Sequence, residues 1–186
     1  MLDGASRLEE LVEAAVQDNQ KALGITDHGN MYGVLPFYRT CIDKGVKPII
    51  GTEAYMAYES RHERPRRGRG GVDDSGGNTD EGRKLYYHLT LLAENNTGYK
   101  NLIQLASRAF MEGYYYKPRI DWEVLNDHNQ GVIATTGCLG GQVLQALLRD
   151  DEEEAYERAG RLQEIFGKDN LLSLIHISEP TRRTPI

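Results

Sequence analysis

The sequence predicts an α/β fold in which a parallel sheet, either wound open or closed as a barrel, carries its helices outside. Three observations predict it. Short apolar runs alternate with stretches of helical periodicity along most of the chain. Turn-forming residues stand where one period gives way to the other. No short-period internal repeat competes with that order.

Each element follows from its own residues. Leu8, Leu11, Val12, Ala15 and Val16 recur at helical spacing and predict a helix over 6–19, with Ser6 and Glu9 spaced as a capping box. Residues 22–26 form a short apolar strand that runs into the turn residues Asp27, His28, Gly29 and Asn30. A second helix is expected over 34–43, stopped by Gly45. A second strand covers 46–55, around Pro48, Ile49 and Ile50. Residues 59–84 are rich in Gly, Arg, Asp and Ser and poor in large apolar side chains, so a mobile surface insertion is expected there. A third strand over 85–93 precedes a helix over 98–110, a tyrosine-rich loop over 113–118 and a short helix around Trp122. Residues 132–136 form a fourth strand ending in Gly137, Cys138, Leu139, Gly140 and Gly141, and two helices follow over 143–148 and 152–166.

Composition narrows the function. The formal net charge of -6 argues against broad non-specific clamping of nucleic acid by this segment alone, but leaves room for a small cleft where metals meet a phosphodiester. Two cysteines, Cys41 and Cys138, make no disulfide framework and suggest a reducing cytosol. The first residues have no apolar signal-peptide core, and no apolar run approaches bilayer-spanning length, so a cytoplasmic location is expected. The basic run over 61–69 sits beside an acidic stretch without interleaved aromatics and reads as a solvated loop. His62, His128 and Cys41 read as structural or solvent-exposed.

The residues that could ligate metal do not scatter. His28 lies just past the first strand, Glu53 near the end of the second, His88 within the third and Cys138 just past the fourth. Strand ends gather on one face of a parallel α/β fold, so topology brings these four together. Asp3 joins them from the entry to the first helix. Imidazole, carboxylate and thiolate suit zinc or another divalent transition metal, and multi-metal sites clamp both oxygens of a phosphoester. Each residue also has an ordinary reading. His28 belongs to a turn, Glu53 to a strand end, and His88 to a packed sheet face. Cys138 has the size of a small buried hydrophobe, and Asp3 complements a helix dipole. The glycine run around Cys138 lacks the Lys-Ser/Thr ending of a P-loop.

Four segments carry a resemblance. Thr26-Asp27-His28-Gly29-Asn30-Met31-Tyr32-Gly33, Lys47-Pro48-Ile49-Ile50-Gly51-Thr52-Glu53-Ala54-Tyr55, Tyr87-His88-Leu89-Thr90-Leu91-Leu92-Ala93-Glu94-Asn95 and Thr135-Thr136-Gly137-Cys138-Leu139-Gly140-Gly141 resemble, in order, metal motifs of the polymerase-and-histidinol-phosphatase (PHP) domain of bacterial DNA polymerase III alpha subunits. The resemblance implies a distorted (β/α)7 barrel, incomplete here because its first and last strands are not found in this sequence. It implies a partial PHP domain over 1–172, with metal ligands Asp3, His28, Glu53, His88 and Cys138 and divalent ions, zinc or manganese, up to three in the intact domain.

What the resemblance implies about activity is a role in DNA replication, as part of a DNA-directed DNA polymerase. The domain is either a metal-dependent 3′→5′ proofreading exonuclease or a scaffold that supports the polymerase core. Its partners would be DNA, a sliding clamp and a separate proofreading exonuclease subunit, with no membrane. The family's opening His-x-His strand and its later Asp-x-His ligands are not found, so the stretch alone is expected to catalyse weakly or not at all. Residues 173–186 do not resemble the family and read as adaptor or cloning sequence, and no role is carried onto His176.

Overall fold

The computed structural model describes residues 6–68, 77–80, 82–137 and 139–173. Six helices and six strands follow one another in the order α1 (Leu8–Gln17), β1 (Ala22–His28), α2 (Val34–Asp43), β2 (Lys47–Met56), β3 (Tyr87–Ala93), α3 (Asn96–Met111), β4 (Arg119–Ile120), α4 (Trp122–Asp127), β5 (Val132–Thr135), α5 (Gln142–Leu147), α6 (Glu152–Phe166) and β6 (Leu171–Leu172). The expected helices over 34–43 and 152–166 appear with those bounds. The two-residue β4 escaped the pattern because two residues carry no periodicity.

The sheet is mostly parallel, with β3 reversed. Its order is β1-β2-β3-β5-β6, and β4 pairs with the end of β2 beyond the reach of β1. The β1–β2 and β5–β6 pairs are parallel, and β3 runs antiparallel to both β2 and β5. The reversal has a simple origin. A parallel return needs a crossover, which α2 supplies between β1 and β2. The connection from β2 to β3 has no helix among the described residues, so the chain comes back antiparallel.

Alternation gives the sheet two unlike faces. Leu23 and Ile25 of β1, Ile50, Ala54 and Met56 of β2, Tyr87, Leu89 and Leu91 of β3 and Val132 and Ala134 of β5 belong to the hydrophobic clusters shared with the helices. The larger cluster adds Leu102, Leu105 and Ala109 of α3, Trp122, Val124 and Leu125 of α4, and Leu162 and Phe166 of α6. The smaller joins Val12 of α1 to Phe37 and Cys41 of α2, so Cys41 is a buried packing residue. Residues of the opposite parity, among them Thr26, His28, Glu53, Tyr55, His88 and Thr90, fall on the other face.

Two local expectations differ. The N-cap of α1 is Arg7 and makes no side-chain cap bond, so the Ser6–Glu9 spacing does not act as a capping box. The stretch from residue 59 is anchored where it begins: Arg61 is buried, and its guanidinium meets Asp121 at 2.9 Å, Glu112 at 2.7 Å and Glu123 at 2.9 Å. Composition could not show this, because the neutralising carboxylates lie some fifty to sixty residues away. No helix among the described residues is long and apolar enough to cross a membrane.

Candidate metal centre

Three of the five expected ligands come together. His28 is the last residue of β1 and pairs with Glu53 across the parallel ladder, its Nε2 3.2 Å from Glu53 Oε2. His88 stands near the start of the reversed β3, and its Nδ1 lies 2.6 Å from Glu53 Oε1. Glu53 therefore touches one histidine with each oxygen. The sequence argument expected convergence at the C-terminal ends of parallel strands. The structure reaches the same meeting point differently, because the beginning of an antiparallel strand lies beside the end of its neighbour. Asp3 and Cys138 lie outside the described residues. Of the ordinary roles, a turn for His28 is replaced by a strand end, while the ladder role of Glu53 and His88 coexists with their mutual contact.

The backbone around His28 is fixed by its own sequence. Gly29 has φ of 68°, and a Cβ there would come within 2.7 Å of the Tyr55 ring, so glycine is required on two counts. Its N–H donates to the Glu53 carbonyl at 2.8 Å, continuing the ladder one residue past β1. Asn30 Nδ2 donates to the His28 carbonyl at 2.9 Å. Asp27 Oδ2 accepts from Gly33 N–H at 2.8 Å, so this acid closes the turn. The Thr52 hydroxyl lies 3.0 Å from the Asp27 carbonyl and 2.9 Å from that of Asn30, tying the loop to β2. On the other side, His88 N–H donates to the Gly140 carbonyl at 3.0 Å, holding the glycine-rich loop against β3.

Tyr55 was missed as a site residue. Its ring stands edge-on to both histidines, with centroids 6.4 Å from His28 and 5.5 Å from His88. Tyr86 stacks on His88 at 6.1 Å and 8°, and Lys117 Nζ lies 5.3 Å from the Tyr55 centroid. The available signal was parity: residues 53 and 55 of one strand share a face. These rings pack on the histidines that hold the carboxylate, and burial by itself would raise the carboxylate's pKa. The hydrogen bond from His88 and the nearness of His28 and His88 outweigh that, and Glu53 titrates below the ordinary carboxylate value.

The donor chemistry fits a divalent transition metal, with two imidazoles and a carboxylate within reach of one another. Two ligands on one such ion, each about 2.1 Å from it at a tetrahedral angle, stand ~3.4 Å apart. The His28–Glu53 spacing of 3.2 Å is near that value, whereas 2.6 Å between His88 and Glu53 is a hydrogen bond. In agreement, no group of three His, Cys, Asp or Glu residues among the described residues is already arranged around one ion position. Loading would exchange the His88–Glu53 bond for ligation.

Comparison with known proteins gives the setting. A family model described as PHP domain matches residues 1–174. A DNA polymerase III subunit alpha of Thermus aquaticus is 47% identical over 169 residues, covering 90% of this chain and 13% of the relative. The protein of the same name from Treponema pallidum (strain Nichols) is 45% identical over 170 residues, covering 91% and 13%. That of Mycobacterium tuberculosis (strain ATCC 25618 / H37Rv) is 42% identical over 171 residues, covering 91% and 14%. The chain thus spans about one seventh of the length of these relatives.

Proposed function

The chain belongs to the PHP domain family, and from that premise we propose that it is the PHP portion of a replicative DNA polymerase, a domain that within the longer protein removes nucleotides from a DNA 3′ end with bound divalent metal, while the stretch alone catalyses weakly or not at all. The observation that supports the reading is the pairing of His28 and His88 on the two oxygens of one Glu53 carboxylate, on the polar face of the sheet. His28, Glu53 and His88 would hold the metal, zinc or manganese, with Asp3 and Cys138 completing the set and up to three ions in an intact domain. A bound ion there supplies an acidified water and positive charge to a phosphodiester.

The protein's own groups prepare that chemistry. Glu53, ionised at neutral pH, orients both imidazoles through its two oxygens. Tyr55 and Tyr86 pack against His88 and hold its ring in place, and the Lys117 ammonium lies over the Tyr55 ring. The polymerising activity, the sliding clamp and a separate exonuclease subunit would be met through the longer protein of which the relatives are examples, in bacterial cytoplasm.

A second reading is favoured by the 2.6 Å His88–Glu53 bond. A carboxylate already satisfied by two histidines can serve as a metal-free support, with the domain bracing a polymerase core and docking the exonuclease. Digestion of a primer with a mismatched 3′ end by the full-length polymerase that carries this stretch separates the two. The nuclease reading expects release of the terminal nucleotide with manganese or zinc, abolished by chelation and by His28→Ala with Cys138→Ala. A folded, metal-saturated full-length polymerase that leaves the primer intact excludes it and favours the support.

A further inference from the structure

Three aromatic rings stand in the open beside the His28 turn. Tyr32 is 79% exposed, Phe110 40% and Tyr114 56%, and Met111 between the last two is 84% exposed. Tyr32 and Phe110 have centroids 6.5 Å apart at 31°, and Phe110 and Tyr114 lie 6.2 Å apart at 30°. The faces are near-parallel steps rather than a packed edge-to-face cluster. A cavity of about 350 Å³ opens along Tyr32 and Phe110, lined also by Asn30, Met31, Ile103 and Met111.

Through Tyr32 the row is joined to the turn that follows His28. Tyr32 is four residues past His28, in the turn held by Asn30, whose side chain accepts from Tyr32 N–H and donates to the His28 carbonyl. Tyr114 is three residues before Lys117, whose ammonium lies 5.3 Å from the centroid of the Tyr55 ring, itself edge-on to both histidines. Flat, exposed, sequence-tolerant faces in series beside the turn that follows His28 suit unpaired nucleobases.

We propose that Tyr32, Phe110 and Tyr114 form a stacking platform that holds the unpaired bases of single-stranded DNA next to the metal centre. The proposal deepens the nuclease reading and rests on it for the strand's destination, although the platform binds DNA without metal.

The test is binding of a labelled short oligothymidylate to the 186-residue chain in chelator, so that neither metal nor hydrolysis contributes. Tyr32→Ala, Phe110→Ala and Tyr114→Ala are each expected to weaken binding about 5- to 150-fold with unchanged thermal midpoints. Tyr32→Phe and Tyr114→Phe are expected to bind as the parent does, because the ring face and not the hydroxyl acts. The alanine losses are expected to persist at high salt, while the loss in Lys117→Ala shrinks. Equal binding by the parent and the three alanine variants overturns the proposal and assigns the row to contact with another protein surface. Loss in the phenylalanine variants as large as in the alanine ones also overturns it. Failure of the nuclease reading looks different: the platform variants still bind less DNA, while no metal gives digestion by the full-length polymerase.

Discussion

His28 and Glu53 face each other directly across the β1–β2 ladder, with Nε2 3.2 Å from Oε2. Parallel register sets this pair, and the reversed β3 adds His88 to the other oxygen. The carboxylate is thus the common member of the trio. Glu53→Gln keeps its shape and removes its charge. The variant is expected to remain folded but to hold less zinc or manganese after dialysis than the unsubstituted chain, with His88→Ala lower as well. Elemental analysis of matched samples checks it. Equal metal in Glu53→Gln and the unsubstituted chain rejects Glu53 as a ligand.

Gly29 and Gly45 both have positive φ, 68° and 72°, but differ in their surroundings. A Cβ on Gly45 meets nothing within 4 Å, whereas on Gly29 it meets the Tyr55 ring at 2.7 Å and Pro118 at 3.0 Å. Gly45→Ala is expected to cost about 1 kcal/mol, the backbone penalty alone. Gly29→Ala is expected to cost more, because Tyr55 must move and with it the wall of the metal centre. Urea denaturation of the two variants measures the difference, and equal losses would show that the ring yields freely.

How far the sequence disclosed this molecule depended on the range of the interaction. The helix over 34–43 and the strands through Ile25 and Ile50 are local patterns; the helix formed with the bounds read, and the strands formed with shifted ends, β1 running on through His28. His28, Glu53 and His88 were legible as a group because each stands at a strand end or start, although the reversal of β3 was not. Pairing direction depends on how the chain returns after residue 56, and no periodicity records that. Arg119 was not legible at all. It is 1% exposed, its guanidinium donates to the carbonyls of Gly113, Leu85, Arg61 and Glu63, and burial pushes its pKa down to about 10. A cation satisfied by distant backbone leaves no signature in its own neighbourhood.

Tyr58 and Glu154 give a stability profile limited on both sides. The Tyr58 hydroxyl donates to Glu154 Oε1 at 2.6 Å, and Arg149 also pairs with that carboxylate. Burial alone would raise the pKa of Glu154, but the bonds from Tyr58 and Arg149 and the charges of Arg149 and Arg158 lower it below its ordinary value. Its contribution is present above the unfolded-state value and is lost as pH falls through the folded one. Burial, then the bond to Glu154, raises Tyr58 above its ordinary value. Its contribution is present below the unfolded-state value and is lost as pH rises through the folded one. Thermal midpoints measured against pH should fall at both ends. Glu154→Gln should flatten the acid limb and Tyr58→Phe the alkaline limb, and unchanged limbs in either variant would remove that residue from the account.

Arg61 and Asp121 form the most enclosed ion pair of the anchored insertion. Their side chains are 9% and 3% exposed, and Asp121 also accepts the Arg61 N–H at 2.8 Å and caps α4 through Val124 N–H at 3.1 Å. Removing the cation leaves a buried carboxylate whose charge is no longer matched. Arg61→Met is therefore expected to destabilise the chain by about 3–5 kcal/mol, far more than an exposed pair would. Asp121→Asn keeps a capping oxygen and removes the charge, so the double variant Arg61→Met with Asp121→Asn should regain part of the loss. Urea denaturation of the single and double variants measures the recovery. A double variant that is no more stable than Arg61→Met would mean that the cost arises from lost packing of the arginine stem and its bond to Glu112 rather than from the stranded charge.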